Sequence, residues 1–145
     1  LFMSANSDVH VTTDIAYAGA CLPRNMTLIL AKEKTLDAMK EALLSHCTIA
    51  YAFDQIAGEE SLLKALFNAC ITAEFVRVDS KGRNVFNLTN MSSLPFAVSI
   101  GGSNPAWIEP FSTVPFKVGT DTVELTVMNM WRGEDKHPTV VVKLK

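Results

Sequence analysis

Residues 113–127 read Thr113-Val-Pro-Phe-Lys-Val-Gly-Thr-Asp-Thr-Val-Glu-Leu-Thr-Val127. Val114, Phe116 and Val118 fall on every second position, Gly119-Thr120-Asp121 interrupts, and Val123, Leu125 and Val127 resume the alternation. Successive side chains on a strand point to opposite faces, so a period of two marks an extended segment with one face in a core. The same period runs through Phe96, Val98 and Ile100, and through Val140, Val142 and Leu144. Residues 72–79, 85–89 and the short Trp107-Ile108 run complete the set, about seven strands in all. Between them stand turn residues: Ser80-Lys81-Gly82, 90–93, Gly101-Gly102-Ser103 and 132–138.

Short strands at this spacing predict an antiparallel immunoglobulin-like β-sandwich over 72–145. No cysteine follows Cys70, so such a sandwich would stand on apolar packing without a core disulfide.

Before residue 71 the period is helical. Leu36, Met39, Leu43, Leu44 and Cys47 line one face of a helix predicted over 35–47, with Thr35 as N-cap and Asp37 in the first turn. A second helix, 59–70, gathers Leu62, Leu63, Leu66, Phe67 and Cys70 on one side, with Gly58, Glu59 and Glu60 marking its start. Both apolar faces are expected to pack inward, with Leu43 and Leu66 among the most buried residues. Strand-length apolar runs precede the helices at 26–31 and 48–53, and a further strand is predicted at 1–4. The order is β, α, β, α, giving an α+β chain: a β/α segment over 1–71 and a β-domain over 72–145. The junction near 69–73 lacks Pro, Gly and Ser richness, which predicts two rigidly packed halves.

With 48% hydrophobic and 19% charged residues, the 145-residue chain can bury a core and is not a disordered tail. Thirteen Lys and Arg against fifteen Asp and Glu give a charge of −2, which offers nucleic acid or anionic lipid no general attraction. No run approaches the roughly 18–20 apolar residues of a membrane helix. Cys21, Cys47 and Cys70 form no Cys-x-x-Cys pair and are expected to be buried thiols. The chain opens Leu1-Phe2-Met3, without the charged and apolar regions of a signal peptide, and is expected to be a piece of something longer.

Chemistry points to Asn6-Ser7-Asp8-Val9-His10. Asp-x-His sets a carboxylate and an imidazole two residues apart, on one side of an extended segment, where both can reach one metal cluster. It follows the apolar Leu1-Phe2-Met3 run, and strand carboxyl ends are where barrel enzymes place their ligands. By spacing alone the pair also fits a solvated Asp and a surface His in a loop.

Ser-Asp-x-His followed by Asn25-Met-Thr-Leu-Ile-Leu-Ala-Lys-Glu-Lys34, by Leu36-Asp-Ala-Met-Lys-Glu-Ala-Leu43 and by Gly58-Glu-Glu-Ser-Leu-Leu-Lys-Ala-Leu-Phe67 resembles the end of the polymerase and histidinol phosphatase (PHP) family. More narrowly, it looks like the family's phosphodiesterases from Bacteroidetes-type bacteria, over residues 1–70. Over 71–145 it rests on element order and on Leu88-Thr-Asn-Met-Ser-Ser-Leu-Pro-Phe96.

The resemblance implies a (β/α) barrel whose divalent metals (Zn, Mn or Fe) activate a hydroxide against a phosphoester. Asp8 and His10 would be the last two metal ligands, and Val11 stands where the family commonly has Gly. The family's earlier His-x-His and mid-barrel Glu are absent, so the metal is expected only in a full-length parent. This chain would be a C-terminal fragment, catalytically silent by itself, with the rest of the barrel as its partner. His46 and His137 lack ligand spacing and are expected at the surface.

The resemblance also implies a bacterial parent, periplasmic or secreted, in which the sequons at Asn25, Asn87 and Asn90 carry no meaning. Gly101-Gly102-Ser103 lacks the Lys of a phosphate loop, and no Gly-x-Ser-x-Gly elbow exists. The alternative function is a binding or packing module, in which the β-domain contacts a carbohydrate or a protein. Trp107, Phe111 and Trp131 are the aromatic residues available for sugar stacking, although a Trp in a sandwich is more often a core or loop anchor.

Overall fold

The computed structural model describes residues 3–6 and 25–144. Within them lie strands β1 (Met26–Ile29), β2 (Thr48–Ala52), β3 (Gln55–Gly58), β4 (Ile71–Val78), β5 (Asn84–Asn90) and β6 (Phe96–Ile100). Five more follow: β7 (Ala106–Ile108), β8 (Thr113–Val118), β9 (Thr122–Val127), β10 (Met130–Trp131) and β11 (Thr139–Lys143). The helices are α1 (Leu36–Leu44) and α2 (Glu60–Cys70). Antiparallel β-sheet dominates, as the period-two runs predict.

The strands form three sheets, with orders β1-β2-β3-β10, β4-β5-β8 and β11-β9-β6-β7. The tight Gly119–Asp121 connection does not make a hairpin. It carries the chain from β8 in the second sheet to β9 in the third. Alternation then places Val123, Leu125 and Val127 in the core, where they meet Phe86 and Leu88 of β5 within one hydrophobic cluster.

β1 and β2 pair antiparallel across α1, with Ile29 opposite Thr48. The parallel strands of a (β/α) barrel are therefore not the pattern here. A strand that the sequence reading lacks, β3, returns from β2 through a two-residue turn, Phe53-Asp54, both at positive φ (50° and 62°). Such turns usually announce themselves as Asn-Gly. Here Tyr51 Oη instead donates to Asp54 Oδ1 at 2.7 Å.

Thr35 caps α1 by accepting from the Ala38 N–H, as expected. The helix stops at Leu44 rather than Cys47 because His46 takes a left-handed conformation (φ 59°). The Cys47 N–H then reaches the Ala42 carbonyl and the His46 N–H the Leu43 carbonyl, closing the helix end without glycine.

The expected inward face of α1 is the wrong one. Leu36, Met39 and Leu43 are 68%, 40% and 43% exposed, while Ala42 is buried. The small flank of Ala38 and Ala42 lies toward Leu30 and Cys47, letting the helix approach the sheet end closely. In α2 the inward face is right, but Leu63 and Phe67 are its fully buried members and Leu66 is half-buried.

One hydrophobic cluster joins all three sheets. Phe67 of α2 meets Phe96 of β6 edge-on at 5.4 Å between ring centroids. β10 leaves the β9–β11 connection to pair parallel with β3, setting Met130 beside Ile56. The first sheet thus shares one core and one strand pairing with the residues after 71.

Candidate functional site

Asp8, His10 and Cys21 lie outside the described residues, as do residues 1 and 2 of the predicted 1–4 strand. What is described is the approach to the Asp-x-His segment. Residues 3–6 form no strand and instead lie across the first sheet by side-chain hydrogen bonds. Thr48 Oγ1 donates to the Met3 carbonyl at 2.9 Å. Thr27 Oγ1 accepts from the Ala5 N–H at 3.0 Å and donates to the Ala5 carbonyl at 3.2 Å. Thr27 opposes Ala50, two residues from Thr48, so both threonines share the face opposite the buried Ile49 and Tyr51. The segment runs from the Ile29 end of β1 toward Asn25, whose Oδ1 is buried without a hydrogen-bond partner.

A cleft of about 310 Å³ opens between the end of α1 and the start of α2, lined by Ser45, His46, Cys47, Glu59, Ser61 and Leu62. Its polar groups are largely engaged. Glu59 caps α2 by accepting from the Ser61 N–H and hydroxyl, and these bonds hold its carboxyl below the usual range. The Cys47 thiol donates to the Ser45 carbonyl. The cleft is built from the two helix ends.

Where the halves meet, Asn129 is the buried polar element. Its Nδ2 donates to the Asp54 carbonyl at 2.8 Å and the Pro95 carbonyl at 2.9 Å, and its Oδ1 accepts from the Ala97 N–H at 2.9 Å. Its own carbonyl accepts from the Ile56 N–H. Beside it, Trp131 Nε1 donates to Gln55 Oε1 at 2.7 Å, and its ring lies 4.4 Å from that of His137. Glu60 bridges Lys64 at 2.8 Å and Arg132 at 3.2 Å, and the Lys64 bond leads the effects that keep its carboxyl low. These ion pairs are too exposed to hold the halves together alone.

His46 is exposed and His137 is half-buried, its Nδ1 2.8 Å from the Met130 carbonyl. Cys70 is buried and Cys47 half-buried, both as free thiols. Among the described residues no three of His, Cys, Asp and Glu come together as a metal site. Nor does any ring contact join Trp107, Phe111 and Trp131 among them. Asn129 lies between the period-two run that ends at Val127 and the turn residues 132–138, and nothing in its spacing signals its role. No described helix is long and apolar enough to cross a membrane.

No protein-family model matches the chain, and no curated protein matches it in sequence. In three dimensions it is similar to a solved structure from Bacteroides vulgatus ATCC 8482, described as a two-domain protein containing a predicted PHP-like metal-dependent phosphoesterase. The TM-score is 0.84 at 23% identity, over 99% of this chain and 46% of that one. The chain therefore spans less than half the length of its structural neighbour, and at this identity the likeness shows the fold.

Proposed function

We propose that the chain is the C-terminal part of a metal-dependent PHP-like phosphoesterase, carrying an accessory β-domain. One observation carries this reading: nearly the whole chain superposes on less than half of a protein described as containing a predicted PHP-like metal-dependent phosphoesterase. In this reading 1–71 ends the parent's phosphoesterase domain, with β1–β3 added as antiparallel strands rather than as barrel strands, and 72–145 is an immunoglobulin-like sandwich. The sheet orders β4-β5-β8 and β11-β9-β6-β7, with their inner residues in one cluster, support the second part.

Asp8 and His10 are the last two ligands of a divalent centre completed by the rest of the parent. A catalytic site commonly takes at least about three protein ligands, and Asp8 and His10 supply two. In this reading the chain alone is catalytically silent. The role of residues 3–6 is positional: Thr27 and Thr48 anchor the segment that leads into Asp8. The exposed flank Leu36, Met39 and Leu43 suits burial against the barrel.

The test is hydrolysis of an aryl phosphodiester with added zinc or manganese, by this chain and by the full gene product. Turnover by the full product alone, reduced by about a hundredfold or more in Asp8→Ala, is expected. Turnover by this chain that disappears in Asp8→Ala would overturn the fragment reading. A second reading, a binding module for a carbohydrate or protein, draws support from the exposed Trp107 and Phe111 on and just after β7.

A further inference from the structure

β4 is an edge strand with an unusual amount of open surface. It pairs with β5 on one side, and no strand flanks its other edge among the described residues. Thr72, Ala73, Glu74, Val76, Arg77 and Val78 are all exposed, so both faces of the strand are uncovered along most of its length. A long edge of this kind is a template for another strand.

The register of β4 makes that template self-complementary. Glu74 opposes Asn87 and Arg77 opposes Val85, with a bulge between Phe75 and Arg77. Asn87 and Val85 are two residues apart on β5 and share a face, so Glu74 and Arg77 share that face as well. Without the bulge, a spacing of three would send the two charges to opposite faces. Neither charge has an ion-pair partner among the described residues.

We infer that β4 pairs antiparallel with β4 of a second copy, about a two-fold axis between Phe75 and Val76. That axis sets Glu74 opposite Arg77 of the second copy, on the same face, and repeats the pair by symmetry. It also sets Ala73 opposite Val78, which face the other side, since Leu88 and Asn84 opposite them on β5 share the core face. Charges that protect an edge usually repel their own kind. Here the pattern attracts its own kind. A single strand pair buries less than a standard interface, so the dimer is a weak one. The inference rests on the strand edge alone and is independent of the phosphoesterase reading.

Sedimentation of the chain over a concentration series tests it. A reversible dimer is expected, weakened about tenfold or more by Glu74→Arg and equally by the mirror variant Arg77→Glu. The double variant E74R/R77E exchanges the charges, keeps the complementarity, and should restore association to within about threefold of the wild type. Both sites are exposed, and unchanged circular dichroism confirms folding of each variant. A chain that stays monomeric to about 0.5 mM, a dimer indifferent to Glu74→Arg, or a double variant no stronger than the single ones would each overturn the inference.

Discussion

Replacing Asn129 with Ala should cost more than any exposed substitution in this chain, although it removes only a short polar side chain. Asn129 is 2% exposed and makes three side-chain hydrogen bonds, to Asp54, Pro95 and Ala97. A buried donor or acceptor left without a partner costs about 1–3 kcal/mol. The Ala97 N–H loses its acceptor outright, while the two carbonyls lose one donor each and keep a second lone pair. The sum is about 2–4 kcal/mol, or roughly 5–15 °C in Tm. Urea unfolding followed by circular dichroism reads it, with the m-value as a check that the unfolded reference is unchanged.

Asn129→Asp sharpens the test. It keeps an acceptor for Ala97 but aims a carboxylate at two carbonyl oxygens. Its loss at neutral pH should equal or exceed that of Ala and shrink as the carboxyl is protonated. A cost below about 0.5 kcal/mol for Asn129→Ala, at unchanged m, would refute the view that this residue joins the two halves.

The same denaturation assay checks three further expectations. Leu63→Ala, at a fully buried site, should cost about 2–5 kcal/mol, while Leu43→Ala should cost less than about 1 in this chain; the reverse order would mean the helix faces are misassigned. Phe53→Asn should stabilise by about 0.5–1 kcal/mol, because Phe53 is exposed and holds a positive φ that Asn adopts more readily; a loss of stability would show the Phe ring to be needed. Asp79 accepts the Arg83 backbone N–H, its largest stabilising contact, and pairs with the Arg83 guanidinium at 2.8 Å, which lowers its carboxyl to about 2. A depressed carboxyl stabilises the fold above the ordinary carboxylate range and loses that contribution as pH falls toward about 2. Asp79→Asn should therefore flatten the acid limb of the stability profile, and an unchanged limb would count against it.

The β-rich second part is legible because its strands have one wet and one dry face, and alternation reports that difference directly. Each of the seven period-two runs over 72–145 corresponds to a strand within a residue or two. Alternation is silent on sheet membership, so the crossing between β8 and β9 has no sequence mark. α1 shows the limit of the helical period. Leu36, Met39 and Leu43 mark an apolar stripe, but not which surface covers it, and this fold uses Ala38 and Ala42 instead. β3 escapes notice because Phe53-Asp54 replaces the usual turn residues, and β10 because two residues, Met130 and Trp131, carry no period. Of the site, the sequence shows donor types at Asp8 and His10. The contacts of Thr27 and Thr48 with residues 3–6 depend on strand register, which spacing does not encode.

The most direct measurement of the central claim is the divalent metal content of the purified full gene product, by elemental analysis, beside the same product carrying Asp8→Ala and His10→Ala. The account predicts metal bound at a fixed ratio in the wild type and largely lost in the double variant, with this chain alone holding little. Equal metal content in the wild type and the double variant would contradict it.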